Sequence, residues 1–328
     1  MATMIPPFHS PWWLKSGHLQ TLFQTFWRPL PEFEVIRERL ETPDGDFLDL
    51  DWAGPSKGPI VVVLHGLTGS SRSPYIVGLQ AALSTAGYRS VCMNFRGCSG
   101  TPNLTWRAYH SGETGDLKWV LKTLRTQEPG TPIYAVGFSL GGNVLLKYLG
   151  EEGGNAIPHK AISVSAPLQL DRCASRLDQG LSRLYRNQLI RELKEYLQGK
   201  KDHLRKIGNT EDLDRLEALG SLNDVVSFWD YDHRVVAGLY GFESAKDYYE
   251  KSSAIRFLKS IEKSTLIVQA KNDPFLLPSM VPESFQHSDH VSIFAPDGGG
   301  HVGFIQGASP WRAEYWLESL VTRFLAEA

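Results

Sequence analysis

Ile133-Tyr134-Ala135-Val136-Gly137-Phe138-Ser139-Leu140-Gly141-Gly142-Asn143-Val144-Leu145-Leu146 decides how this chain is read. An apolar run ends in Gly-x-Ser-x-Gly, and a second apolar run at helical spacing follows. The pattern predicts a strand over 132–137, a turn at Ser139 and a helix over 140–149 that stops at Gly150. A serine on so sharp a strand-to-helix turn is strained, with its hydroxyl exposed at the sheet edge. Glycines flank it because neighbouring side chains would clash in so tight a turn. The helix start behind it offers free N–H groups and a positive dipole end to a developing negative charge. The bare pattern also arises by chance. The strand before it and the helix after it are what make Ser139 a candidate nucleophile.

The same rhythm extends outward. Ile60-Val61-Val62-Val63-Leu64 is too apolar for a half-exposed strand and reads as a central parallel strand, buried on both faces. Residues 75–86 carry helical spacing (Ile76, Leu79, Ala82, Leu83) and stop at Gly87. Further strands are expected over 88–95, 161–165, 265–270 and 291–295, with helices over 114–125 and 311–326. The order predicts an α/β fold with a doubly wound, mostly parallel sheet. Pro43-Asp44-Gly45-Asp46 supplies turn chemistry for a leading antiparallel hairpin of strands 33–40 and 47–52.

Between 170 and 253 no comparable strand signal occurs. Leu181, Leu184, Tyr185, Ile190, Leu193 and Leu197 fall near one helical face, with Arg183, Arg186, Arg191 and Lys194 elsewhere, as on a solvated face. We expect a helical cap over the C-terminal edge of the sheet. The chain then divides into an aromatic-rich wrap segment (1–32), a first core part (33–169), the cap (170–253) and a second core part (254–328).

Composition narrows the function. The 328 residues are 42% hydrophobic and 21% charged, as in an ordered globular chain. With 34 basic and 36 acidic residues the net charge is −2, which gives no footprint for nucleic acid. The longest apolar run falls far short of the ~20 residues that span a bilayer. Three cysteines, with no secretory signal at the start, fit reduced thiols in the cytoplasm. The opening Pro- and Trp-rich stretch is expected to wrap a domain and bury its aromatics. A peripheral contact with a membrane or an acyl chain is the alternative use of those tryptophans.

A serine hydroxyl is a poor nucleophile until a base takes its proton. Of ten histidines, His301 is best placed, because the Gly298-Gly299-Gly300 run lets a loop carry it back over the sheet edge. Asp273 follows the 265–270 strand at its carboxyl end and is the candidate that orients the imidazole. Asp297 is the rival acid. The second oxyanion donor, besides the Leu140 N–H, is expected at the Leu67 backbone in His65-Gly66-Leu67-Thr68-Gly69, with His65 bracing that loop. His287, Asp289 and His290 fit no metal-ligand spacing, so no metal is expected, and ester cleavage by an activated serine requires no cofactor.

Together these residues resemble the α/β-hydrolase superfamily and, within it, the YheT/EMB8-like family of carboxylesterases. The resemblance runs from near Gly17 to the C-terminus. It rests on Gly17-His18-Leu19-Gln20-Thr21, Pro43-Asp44-Gly45-Asp46, His65-Gly66-Leu67-Thr68-Gly69, Asn94-Phe95-Arg96-Gly97-Cys98-Ser99-Gly100, Tyr109-His110-Ser111-Gly112-Glu113-Thr114 and Gly298-Gly299-Gly300-His301-Val302-Gly303-Phe304. It implies a serine hydrolase with Ser139, Asp273 and His301 as its triad, acting on a small ester without a cofactor. Eukaryotic members act on acylglycerols, phospholipids or medium-chain acyl esters, some by acyl transfer to an alcohol, and often carry an N-terminal membrane anchor. An acyltransferase, thioesterase or lipase on the same triad is the alternative activity, and a hydrolase fold kept as a non-enzymatic ligand-binding module is the lesser one. Arg96, His110 and Glu113 match family strings and are expected to pin the loops around the serine. Cys98 lacks the strand–turn–helix setting of a nucleophile.

Overall fold

A computed structural model describes residues 5–327, so the first four residues of the expected wrap segment lie outside the described residues. One eight-stranded sheet runs through the molecule in the order β1-β2-β4-β3-β5-β6-β7-β8. Its strands are β1 (Ile36–Glu41), β2 (Phe47–Ala53), β3 (Ile60–Leu64), β4 (Arg89–Met93), β5 (Ile133–Phe138), β6 (Lys160–Val164), β7 (Ser264–Val268) and β8 (Val291–Phe294). The leading hairpin β1–β2 and the β2–β4 pair are antiparallel, and all later neighbours are parallel.

Strand β3 shows why its sequence is unbroken Ile, Val and Leu. Ile60, Val62 and Leu64 face one core, with Leu117 and Val120 of α3 (Gly115–Gln127) and Val144 of α4 (Leu140–Glu152). Val61 and Val63 face the other, with Ile76 and Leu79 of α2 (Pro74–Thr85) and Leu320 and Val321 of α11 (Trp316–Ala326). Alternate residues of one strand thus feed two cores, and no position is left for a polar side chain. The register matters more for chemistry. Phe138 pairs with Val164, Val164 with Val268 and Val268 with Phe294, so these strands end level. The loops that follow open side by side at one sheet edge.

Helix α1 (Gly17–Phe26) precedes the sheet. Between β6 and β7 come α5 (Leu170–Leu177), α6 (Ser182–Ile207), α7 (Thr210–Glu217), α8 (Phe228–Tyr231), a π-helical turn over Asp232–Ala237, α9 (Gly238–Tyr240) and α10 (Ala245–Ser252). They enclose an apolar core of their own, including Cys173, Leu193, Leu197 and Tyr248. Among the described residues no helix is long and apolar enough to cross a membrane.

The structure departs from the sequence reading in four places. The helix expected to stop at Gly150 runs to Glu152 and ends at Gly153, whose φ is +52°. Gly150 serves packing instead, since a Cβ there would lie 2.4 Å from the Phe257 carbonyl oxygen. The closing helix starts at Trp316. Residues 310–312 form a 3-10 turn with Trp311 91% exposed, and β10 (Glu314–Tyr315) pairs with β9 (Ile305–Gln306). On α6 the buried apolar stripe begins at Ile190, whereas Leu184 upstream is 67% exposed and Leu181, before the helix, 64%. Of the N-terminal aromatics Phe8 is buried against Phe304 and Trp316, whereas Trp12, Phe26 and Trp27 remain exposed.

Candidate active site

Ser139 occupies the turn between β5 and α4 at φ +50°, ψ −120°. That conformation is strained for any residue with a Cβ, and the surroundings hold it there. The Ser139 N–H donates to the Val164 carbonyl at 2.8 Å. A Cβ on Gly137 would meet the Gly141 carbonyl oxygen at 2.4 Å, and one on Gly141 would meet that of His65 at 2.5 Å. The two glycines of the motif are therefore demanded by backbone crossing over backbone, which no side chain could relieve.

His301 Nε2 lies 2.9 Å from Ser139 Oγ, placed to accept the hydroxyl proton. Its Nδ1 lies 2.8 Å from Asp273 Oδ2. Only 1% of the Asp273 side chain is exposed, and its other oxygen accepts the Phe275 N–H at 2.8 Å. The Phe275 ring stacks on the His301 ring at 4.1 Å, leaving the imidazole little freedom to swing. The rival Asp297 is 93% exposed on its side chain and pairs with Lys271. The structure brings Ser139, His301 and Asp273 together and leaves Asp297 outside.

Leu67 and Leu140 line the same cavity as Ser139. The amides around Leu67 are occupied. Gly66 N–H donates to the Tyr75 hydroxyl at 2.8 Å, and Thr68 N–H to the Tyr109 hydroxyl at 3.0 Å. Among the described residues neither Leu67 N–H nor Leu140 N–H donates a hydrogen bond within the chain. The turn is close, since a Cβ on Gly66 would come within 3.2 Å of Ser139 Cβ. His65 is buried beneath it. Its Nδ1 donates to the Gly66 carbonyl at 2.7 Å, and its Nε2 accepts the Phe95 N–H at 3.1 Å. Burial pushes its pKa down to about 4, so the ring is a neutral brace with both nitrogens engaged.

The polar residues of the other family strings are held by partners of their own. Arg96 is buried and pairs with Asp116 at 2.7 Å, Glu113 pairs with Arg107, and the His110 ring accepts the Gly112 N–H. Burial raises the Cys98 thiol to about 12, which leaves it inert. Sequence reading missed the part played by α1. The His301 N–H donates to Thr21 Oγ1 at 2.9 Å, and Thr21 Oγ1 donates to the Gly17 carbonyl. Gln20 is fully buried, with its amide NH₂ donating to the Leu14 and Ile305 carbonyls and its oxygen accepting the Ile305 N–H. The Gly17–Thr21 string was visible, but its partners lie at the other end of the chain.

Ser139 and His301 open into a cavity of about 480 Å³, within the ordinary range of small-molecule sites. Its walls come from the elements between β6 and β7 and from α1, with Leu170, Leu177, Leu189, Phe228 and Phe26 among them.

With that geometry in place, comparison with known proteins decides the kinship. The sequence pattern of the α/β hydrolase fold matches residues 59–308. The chain belongs to the α/β-hydrolase family. Within the family it is 39% identical to YheT of Escherichia coli (strain K12), provisionally named an esterase, over 94% of this chain and 89% of that one. It is 29% identical to the embryogenesis-associated protein EMB8 of Picea glauca, over 99% and 73%. This hydrolase also shares its fold with a solved Pyrococcus furiosus esterase, at a TM-score of 0.56 and 20% identity, covering 89% and 91% of the two chains.

Proposed function

We propose that this hydrolase cleaves carboxylic esters with short-to-medium acyl chains through a Ser139–His301–Asp273 triad. The observation that carries the reading is the continuous relay from Ser139 Oγ through the His301 ring to Asp273, with Ser139 and His301 on the wall of a largely apolar cavity. Ser139 attacks the ester carbonyl as His301 Nε2 takes its proton. Asp273 keeps the other ring nitrogen protonated and balances the imidazolium charge. The Leu67 and Leu140 N–H groups receive the oxyanion, at a helix start whose dipole favours negative charge. His301 returns the proton to the departing alcohol. Water then repeats the path on the acyl-serine and releases the acid. The steps are complete without a cofactor.

The helical block over 170–253 acts as a cap that shields the acyl group from water. Exposed Phe26 on the cavity wall, with exposed Trp27 against it, gives an apolar edge suited to peripheral contact with lipid. The test is a p-nitrophenyl ester series from acetate to dodecanoate, with wild type and Ser139→Ala, with and without added alcohol. Expected is turnover favouring the shorter half of the series, abolished in Ser139→Ala. Turnover that survives Ser139→Ala, or none by folded wild type across the series, would overturn the reading. Added alcohol appearing as new ester would make acyl transfer the favoured second step.

A further inference from the structure

One polar group in the cavity takes no part in the chemistry above. Asp232 starts the π-helical turn after α8 and lines the cavity that holds Ser139 and His301. It also lines a smaller chamber of about 70 Å³. The two spaces share Leu67, Ser111, Leu140, Phe228, Asp232 and Tyr248, so Asp232 stands at their junction.

Its carboxyl is poorly provided for. The Tyr249 hydroxyl donates to Oδ2 at 2.7 Å, and among the described residues this is the only hydrogen bond to the carboxyl and no Lys or Arg pairs with it. Its titratable neighbours are Cys173 from α5, Tyr231 from α8, and Tyr248 and Tyr249 from α10, each kept neutral by burial. Burial pushes the carboxyl itself up to about 7, so both of its forms exist near neutrality. A π-helical turn in a helical segment is uncommon and frequently marks a functional position.

A carboxyl left with one spare oxygen in an apolar wall is costly once substrate displaces water from beside it. An all-hydrocarbon ester would impose that cost. A hydroxyl would remove it in either state, because it donates to the carboxylate and accepts from the carboxylic acid. We propose that Asp232 is a specificity-determining residue that receives a free hydroxyl on the ester substrate, at the junction of the two chambers. The inference rests on the ester-hydrolase reading of the same cavity.

Two matched pairs test it, one for each side of the ester: hydroxyethyl against methoxyethyl octanoate, and p-nitrophenyl ω-hydroxyoctanoate against p-nitrophenyl octanoate. kcat/KM is measured for wild type, Asp232→Leu, Asp232→Ala and Asp232→Asn. Expected is a preference of about 10-fold or more for the hydroxylated member of at least one pair in wild type. Leu or Ala should erase it, and Asn, which still accepts and donates, should keep most of it. A purely structural carboxyl would lower stability or overall rate without moving the ratio within a pair. Equal rates within both pairs for wild type, a measurement that needs no variant, would overturn the proposal. So would a preference that survives Asp232→Leu or Asp232→Ala. Wild-type turnover of the plain octanoates, lost in Ser139→Ala, shows that the ester-hydrolase reading stands whichever way the ratio falls.

Discussion

The backbone N–H of His301 is held by the hydroxyl of Thr21 at 2.9 Å, across 280 residues of chain. The base of the site is therefore positioned by the N-terminal helix as well as by its own loop. Gln20 fixes the same loop at Ile305 through two further hydrogen bonds. Thr21→Val keeps the shape and removes the acceptor. We expect kcat to fall about 10-fold, near 1.4 kcal/mol, with KM little changed and Thr21→Ser restoring the rate. Steady-state kinetics on one ester checks this, and a Thr21→Val rate equal to wild type would remove Thr21 from the positioning machinery.

The two candidate acids separate by burial and reach. Asp273→Asn should leave the imidazole in the wrong tautomer and lower kcat by roughly 10³- to 10⁴-fold. Asp297→Asn, altering an exposed partner of Lys271, should leave the rate within a factor of about two. Parallel kinetics on the two variants decides the matter, and the opposite ranking would return the role to Asp297.

Tyr109 supports the turn that carries the Leu67 amide. Its hydroxyl accepts the Thr68 N–H, and Thr68 is strained at φ +55°. Tyr109→Phe leaves that amide without its partner, at a cost of about 1–3 kcal/mol. Stability and kcat should both fall, while a fluorophosphonate still labels the serine. Unchanged kcat with lowered Tm would separate this turn from oxyanion binding.

His65 makes stability depend on pH with a defined sign. Its pKa is about 4 in the folded chain, against 6.5 for a histidine in an open chain. The unfolded chain therefore binds more protons between those values, and stability is lost as pH falls from about 6.5 to 4. A difference of that size amounts to on the order of 3 kcal/mol. Denaturant melts across this window should show a shallower slope for His65→Asn than for wild type. Parallel curves for the two would mean that the ring is not kept neutral by burial.

Legibility followed the range of the physical cause. The central strands could be read because burial on both faces leaves only apolar residues, as in Ile60–Leu64. The turn at Ser139 could be read because its constraints lie within a few residues, at Gly137 and Gly141. The end of α4 could not, because Gly150 is required by Phe257, more than a hundred residues away. Leu181 and Leu184 fit a helical stripe by spacing, but spacing cannot say where a partner surface begins. Thr21 stood inside a recognised string without a readable role, since its partner, His301, is brought to it only by the closed fold. Asp232 carried no local signal at all, because its significance comes from the cavity that several distant helices enclose.

The central claim is that Ser139 is an activated nucleophile. The most direct measurement is fluorophosphonate labelling of the folded protein, with the modified residue located by peptide mass spectrometry. One covalent adduct on Ser139 is expected, absent from Ser139→Ala and much slowed in His301→Ala. A folded wild-type protein that takes no label, or takes it at another serine, would contradict the account.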